Sequence, residues 1–166
     1  MKLFRSPLVI IIAIATVGII LLALMAPVSA RKHTQFKQEI KQLSDQQQFT
    51  QVEERLMGYL DGRRLTKPQR YEATFMLAEN YKRLGNVETA VNWYMETLKL
   101  GDSHTAEIYY AMASITLQRN DKNQSIEYFK KGIETAKTDN NSFNDNAISG
   151  YERTVQSLES GSDPSR

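Results

Sequence analysis

Along most of this chain apolar positions return every third or fourth residue, the period of a helix with one buried face. From Arg31 to Gln48 the pattern is Phe36, Ile40 and Leu43, at i, i+4 and i+7. Phe49, Val52, Leu56, Tyr59 and Leu60 predict a second helix that ends at Asp61-Gly62. Thr66-Lys67-Pro68-Gln69 reads as a capping box with proline in the first turn, opening a third. Further on, Asp139-Asn140-Asn141 marks a turn, Ser142-Phe143-Asn144-Asp145 a helix start, and Ile148, Tyr151, Val155 and Leu158 one more apolar face. The exception is Leu8–Ala26, 19 residues without a charge. At ~1.5 Å per residue it spans roughly 28 Å of hydrocarbon.

Between these elements the chain copies itself. An offset of 35 residues lays Tyr71–Leu100 over Ala106–Thr135. Leu77 then falls on Met112, Ala78 on Ala113, Gly85 on Asn120, Val91 on Ile126, Trp93 on Tyr128, Tyr94 on Phe129 and Leu98 on Ile133. A period near 34 with two helices per unit predicts a helical solenoid. Such units bury their apolar faces only by stacking, and the stack exposes a surface that binds. Ala78, Ala90, Ala113 and Ser125 sit where helices cross closely and only small side chains fit. Gly85 and Asn120 sit where the chain reverses through a left-handed conformation.

These columns resemble the tetratricopeptide repeat family. Leu77-Ala78, Tyr81, Gly85, Ala90, Tyr94 and Thr97 fill the family's positions in the first unit. Tyr109, Met112-Ala113, Asn120, Ser125, Phe129 and Gly132 fill them in the second. Thr74 replaces a bulky residue, Thr116 stands where tyrosine is usual, and the terminal proline is missing from both units. The resemblance implies an all-α fold, a short right-handed solenoid of helical hairpins, here preceded by one N-terminal transmembrane helix. The expected division is an anchor or signal-like segment at 1–30, a degenerate first hairpin (or plain capping hairpin) at 31–62, and repeats at 66–101 and 102–138. A C-terminal capping helix at 142–159 and a disordered tail at 160–166 complete it.

Charge changes the picture near the membrane segment. The net charge is +2, yet residues 31–70 hold nine Lys/Arg against five Asp/Glu, and residues 71–166 ten against fourteen. This balance lacks the dense basic face of a nucleic-acid binder. Pro7 and Pro27 bracket the apolar segment, and its twelve Ile, Leu and Val residues contribute about −4 to −7 kcal/mol to insertion. Val28-Ser29-Ala30 has the form of a signal-peptidase site, but the apolar core exceeds the roughly 7–15 residues of a signal peptide. An uncleaved anchor is expected, with a soluble exported protein cleaved after Ala30 as the alternative. Arg31, Lys32, Lys37 and Lys41 after the span pull the domain toward the cytoplasm by the positive-inside count. The signal-like order of the first residues points outward. The expected location is the cytoplasmic membrane, single-pass, with the domain extracytoplasmic.

Cysteine is absent, and the two histidines, His33 and His104, lie apart with no metal spacing. No phosphate loop or nucleophile–base–acid set is present. The expectation is no cofactor, no metal and no enzyme. Glu53-Glu54 reads as a solvated face, and Arg63-Arg64 with Lys67 and Arg70 as a basic turn, solvated or else facing lipid headgroups or an acidic partner.

The resemblance also implies where a partner docks: the first helix of each unit, away from the small-residue columns. That face presents Phe75, Glu79, Lys82 and Arg83, then Tyr110, Ser114 and Gln118, with Asp145, Ser149 and Glu152 as an extension. The two aromatics suit a peptide or helix held by apolar anchors. Phe75, Glu79 and Ser114 occupy places where repeats that grip chaperone tails carry a Lys/Asn/Arg clamp, so that function is not expected. The expected function is a membrane-anchored protein-interaction module serving an envelope, secretion or assembly complex. The alternative is a self-associating scaffold.

Overall fold

The computed structural model describes residues 28–62, 64–101, 104–138 and 145–161. Among the described residues there are seven helices and no strand. They are α1 (Val28–Asp45), α2 (Phe49–Asp61), α3 (Lys67–Arg83), α4 (Val87–Leu100), α5 (Thr105–Gln118), α6 (Lys122–Thr138) and α7 (Asp145–Ser160). None of the described helices is long and apolar enough to cross a membrane. The expected anchor at 8–26 lies outside the described residues, as do Arg63, the turn before α7, its start at 142–144, and residues 162–166. The chain divides into two units after Gln42. The first contains most of α1, in which Ile40 is buried.

In the second unit several helix boundaries have a local cause. The Thr66 hydroxyl accepts from the Gln69 amide at 3.4 Å, and the Gln69 side chain accepts from the Thr66 amide at 3.0 Å. Asn86 and Asp121 cap α4 and α6 in the same way, accepting from Thr89 N at 3.3 Å and Gln124 N at 3.1 Å. Gly85 (φ 73°) and Asn120 (φ 61°) take the left-handed conformation expected of them. Around each, two amides fold back on the last helical turn: Gly85 N and Asn86 N onto Lys82 O and Tyr81 O, and Asn120 N and Asp121 N onto Leu117 O and Thr116 O. These are Schellman closures. Gln47 (φ 59°) makes a third, with Gln47 N and Gln48 N bonded to Ser44 O and Leu43 O.

Consecutive helices from α2 to α7 pack pairwise, and the hairpins α3/α4 and α5/α6 are the most intimate pairs. Ala78, Ala90, Ala113 and Ser125 are fully buried, so the small-residue columns do mark the crossings. Ser125 Oγ donates to Ala113 O at 2.9 Å, which satisfies its hydroxyl inside the crossing.

The departures from the repeat pattern have structural counterparts. Thr74 occupies a bulky-residue position because Thr97 meets it across the α3/α4 interface, hydroxyl to hydroxyl at 3.0 Å, both buried. Thr116 returns its hydroxyl to Met112 O and Ala113 O. Tyr81, its counterpart in the first repeat, instead reaches back to α2 and donates to Glu53 Oε1 at 2.6 Å. Glu53 is therefore half-buried and hydrogen-bonded rather than solvated, while Glu54 is exposed. Burial, then this bond and the charge of Glu53, push the Tyr81 phenol up to about 12.

A cleft on the first-helix side of the repeats

Helix periodicity puts Glu107, Ala111, Ser114 and Gln118 in one row along α5. Together with Ile115 on α5, Lys82 on α3 and Tyr151 on α7, this row lines a cleft of about 410 Å³ with Tyr110 at its floor. Four of the seven expected residues meet there: Lys82, Tyr110, Ser114 and Gln118.

The remaining three are engaged elsewhere. Phe75 is half-buried, its ring parallel to Tyr71 with centroids 6.5 Å apart and tilted against Tyr94 at 5.9 Å. Glu79 receives Lys82 Nζ on both oxygens, at 2.8 and 2.9 Å, and also accepts from the Tyr94 hydroxyl. Burial first and this bond second hold the Tyr94 phenol far above its ordinary range. Arg83 turns away and donates from Nη1 to Ser44 Oγ at 2.8 Å.

Tyr110 differs most from the open anchor expected of it. It is 4% exposed. Tyr151 stacks on it with centroids 3.7 Å apart and planes within 17°, and Phe129 closes the group at 6.4 Å. The room for its ring comes from Gly132, where a Cβ would lie 2.6 Å from Tyr110 Cε1. Burial, then the neighbouring Tyr151, Glu107 and Glu152, push the Tyr110 phenol up to about 12. Tyr110 thus serves the packing of α5, α6 and α7, and the cleft sees little of it.

Ser114 is exposed and donates to Tyr110 O at 2.9 Å, while Gln118 stands exposed at the rim. Ser149 and Glu152, expected to extend this face, line a second cleft between α6 and α7, of about 470 Å³. Asp145 opens α7. The residues missed in the sequence are Glu107, Ala111, Ile115 and Tyr151. The first two were legible as the i, i+4 continuation of the Ser114–Gln118 row. Tyr151 carried no such signal, because it arrives from another helix.

Among the described residues no group of three His, Asp or Glu side chains is placed to hold a metal ion. What this arrangement offers is an amphipathic cleft: aromatic and aliphatic below, polar at the rim. Its helices α5 and α6, with α3 and α4 before them, are the part of the chain that comparison recognises. The tetratricopeptide repeat family profile matches residues 71–101 and 106–139. The chain is a tetratricopeptide repeat protein. No curated protein matches it. Tetratricopeptide repeats are non-catalytic units of protein–protein interaction, and in this one the cleft lies on the first-helix side of both matched units.

Proposed function

We propose that this tetratricopeptide repeat protein is a membrane-anchored docking module that recruits a peptide or helix of another protein. The observation that carries the reading is the cleft itself. Two consecutive repeats support it, apolar side chains floor it, and exposed Ser114 and Gln118 stand where a partner backbone finds hydrogen bonds. The repeats form a short right-handed solenoid, and residues 8–26 are its single membrane span. The anchor holds the module near other membrane-bound subunits, which raises its effective concentration there without any new contact. The repeats face outward from the cytoplasmic membrane, in an envelope, secretion or assembly complex.

The test is a photo-crosslinking amino acid placed at Ser114 or Gln118 in cells, with Glu134 on the exposed side of α6 as the comparison site. A discrete adduct from the cleft positions, absent from Glu134, supports docking here. Adducts of equal yield from both faces place the interaction elsewhere. In the same cells, after removal of outer layers, protease loss of a carboxyl-terminal tag reads the orientation. A tag protected until lysis overturns the outward placement.

A further inference from the structure

Among the described residues, the cleft carries one acid that nothing neutralises. Lys82 arrives at its edge with its charge already met by both oxygens of Glu79. On the α7 side, Glu152 is paired with Lys137 Nζ at 2.6 Å. Glu107, half-buried in the first turn of α5, makes no hydrogen bond or ion pair among the described residues. Its place in the first turn of α5 suits an acidic side chain, since the helix dipole favours negative charge there. One and two turns along from that carboxylate, the wall is Ala111 and Ile115, and the opposite side is the Tyr151 ring lying on Tyr110. A carboxylate at one end of an aliphatic and aromatic slot matches a long side chain with an apolar stem and a positive end. A neutral or acidic side chain would leave Glu107 uncompensated beside the bound partner.

We propose that the cleft recognises a basic residue, lysine or arginine, of the partner segment, with its charge on Glu107 and its stem along Ala111, Ile115 and Tyr151. Arginine fits best, because its planar guanidinium both forks onto a carboxylate and lies against an aromatic ring. The inference rests on the docking reading above and names what the docked segment must carry.

The experiment uses the full chain in detergent micelles, isotopically labelled, and three synthetic peptides identical except for a central Arg, Gln or Glu between leucines. Amide shifts at Ala111, Ser114, Ile115 and Gln118 report occupancy of the cleft. The Arg peptide is expected to bind about tenfold tighter than the Gln peptide, the scale of one charged hydrogen bond. Glu107→Gln removes that preference, and Glu107→Lys transfers it to the Glu peptide. Glu107 lies at a helix start and outside the packed core, and the amide spectrum of each variant verifies its fold. Equal binding of the Arg and Gln peptides, or a preference that survives Glu107→Gln, overturns the proposal while leaving docking intact. Absence of binding by all three, together with no crosslink from Ser114, overturns both.

Discussion

Gly132 and Tyr110 are one structural unit although 22 positions separate them, and the glycine exists for the ring. A methyl group at 132 would stand 2.6 and 2.8 Å from two Tyr110 ring carbons. Alanine is ordinarily worth ~0.5–1 kcal/mol over glycine inside a helix, so the substitution separates space from propensity. Gly132→Ala is expected to destabilise by about 1–3 kcal/mol through overpacking. Gly150→Ala, in α7 with nothing within 4 Å of the added carbon, is expected to stabilise by about 0.5–1 kcal/mol. Urea midpoints at unchanged slope decide both. The tyrosines give a second residue-scale expectation. Tyr81 and Tyr110 are pushed from an ordinary 10.0 up to about 12 in the folded chain, so the native state holds these protons more tightly than the unfolded one. Their contribution to stability is complete below pH 10 and is lost as pH rises through 12. Phenolate absorbance should show a late-titrating class coincident with loss of helical signal, and Tyr110→Phe should shrink it. If every tyrosine titrates near 10.0 before unfolding, the burial argument fails.

At the scale of elements, ends and crossings follow different physics. A helix end is a local matter of a few donors and acceptors, and Thr66→Ala removes one capping bond, with an expected cost of about 1 kcal/mol. Asn80 is 3% exposed and spans two helices, donating from Nδ2 to Phe49 O at 3.0 Å. Asn80→Ala leaves that carbonyl without its donor and a void beside it, at an expected cost of about 2–3 kcal/mol. Thermal denaturation of the two variants measures the contrast, and a larger loss from Thr66→Ala would invert the argument. The capping box and the glycine and asparagine turns were legible because each is set by residues within one or two turns, and the small-residue columns because they recur at the repeat offset. Gln47 was not. Glutamine has no special ease in the left-handed region, and only the two returning amides reveal the turn it completes.

At the scale of the molecule, α7 is the last of the described helices in the packed series. Ile148, Val155 and Leu158 are buried, while Asn146, Ser149, Glu152, Arg153, Gln156 and Glu159 are exposed. Two ion pairs join α6 to α7, Lys130–Glu159 at 2.7 Å and Lys137–Glu152 at 2.6 Å, with all four side chains at least 46% exposed. Exposed pairs of this kind contribute roughly 0–1 kcal/mol each. Leu158→Ala, by contrast, is expected to cost about 2–4 kcal/mol. Hydrogen exchange should show early opening of α7 in Leu158→Ala and near-native protection in Lys137→Ala. Comparable opening in both would assign the attachment of α7 to charge instead of apolar burial.

The sequence by itself determined the helical class, the offset of 35 residues, the small positions where helices meet and the residues that turn the chain. All of these are periodic or local, and a one-dimensional pattern records them directly. It also placed Lys82, Tyr110, Ser114 and Gln118 on one side, since a face is fixed by helical spacing. Only the tertiary structure decided what those side chains face. Tyr151 lies on Tyr110, Thr97 meets Thr74, Tyr81 reaches Glu53, and Glu79 takes the charge of Lys82, leaving Glu107 unmatched among the described residues. Most of these contacts join separate helices. Their partners depend on crossing angle and side-chain direction, which no periodicity encodes.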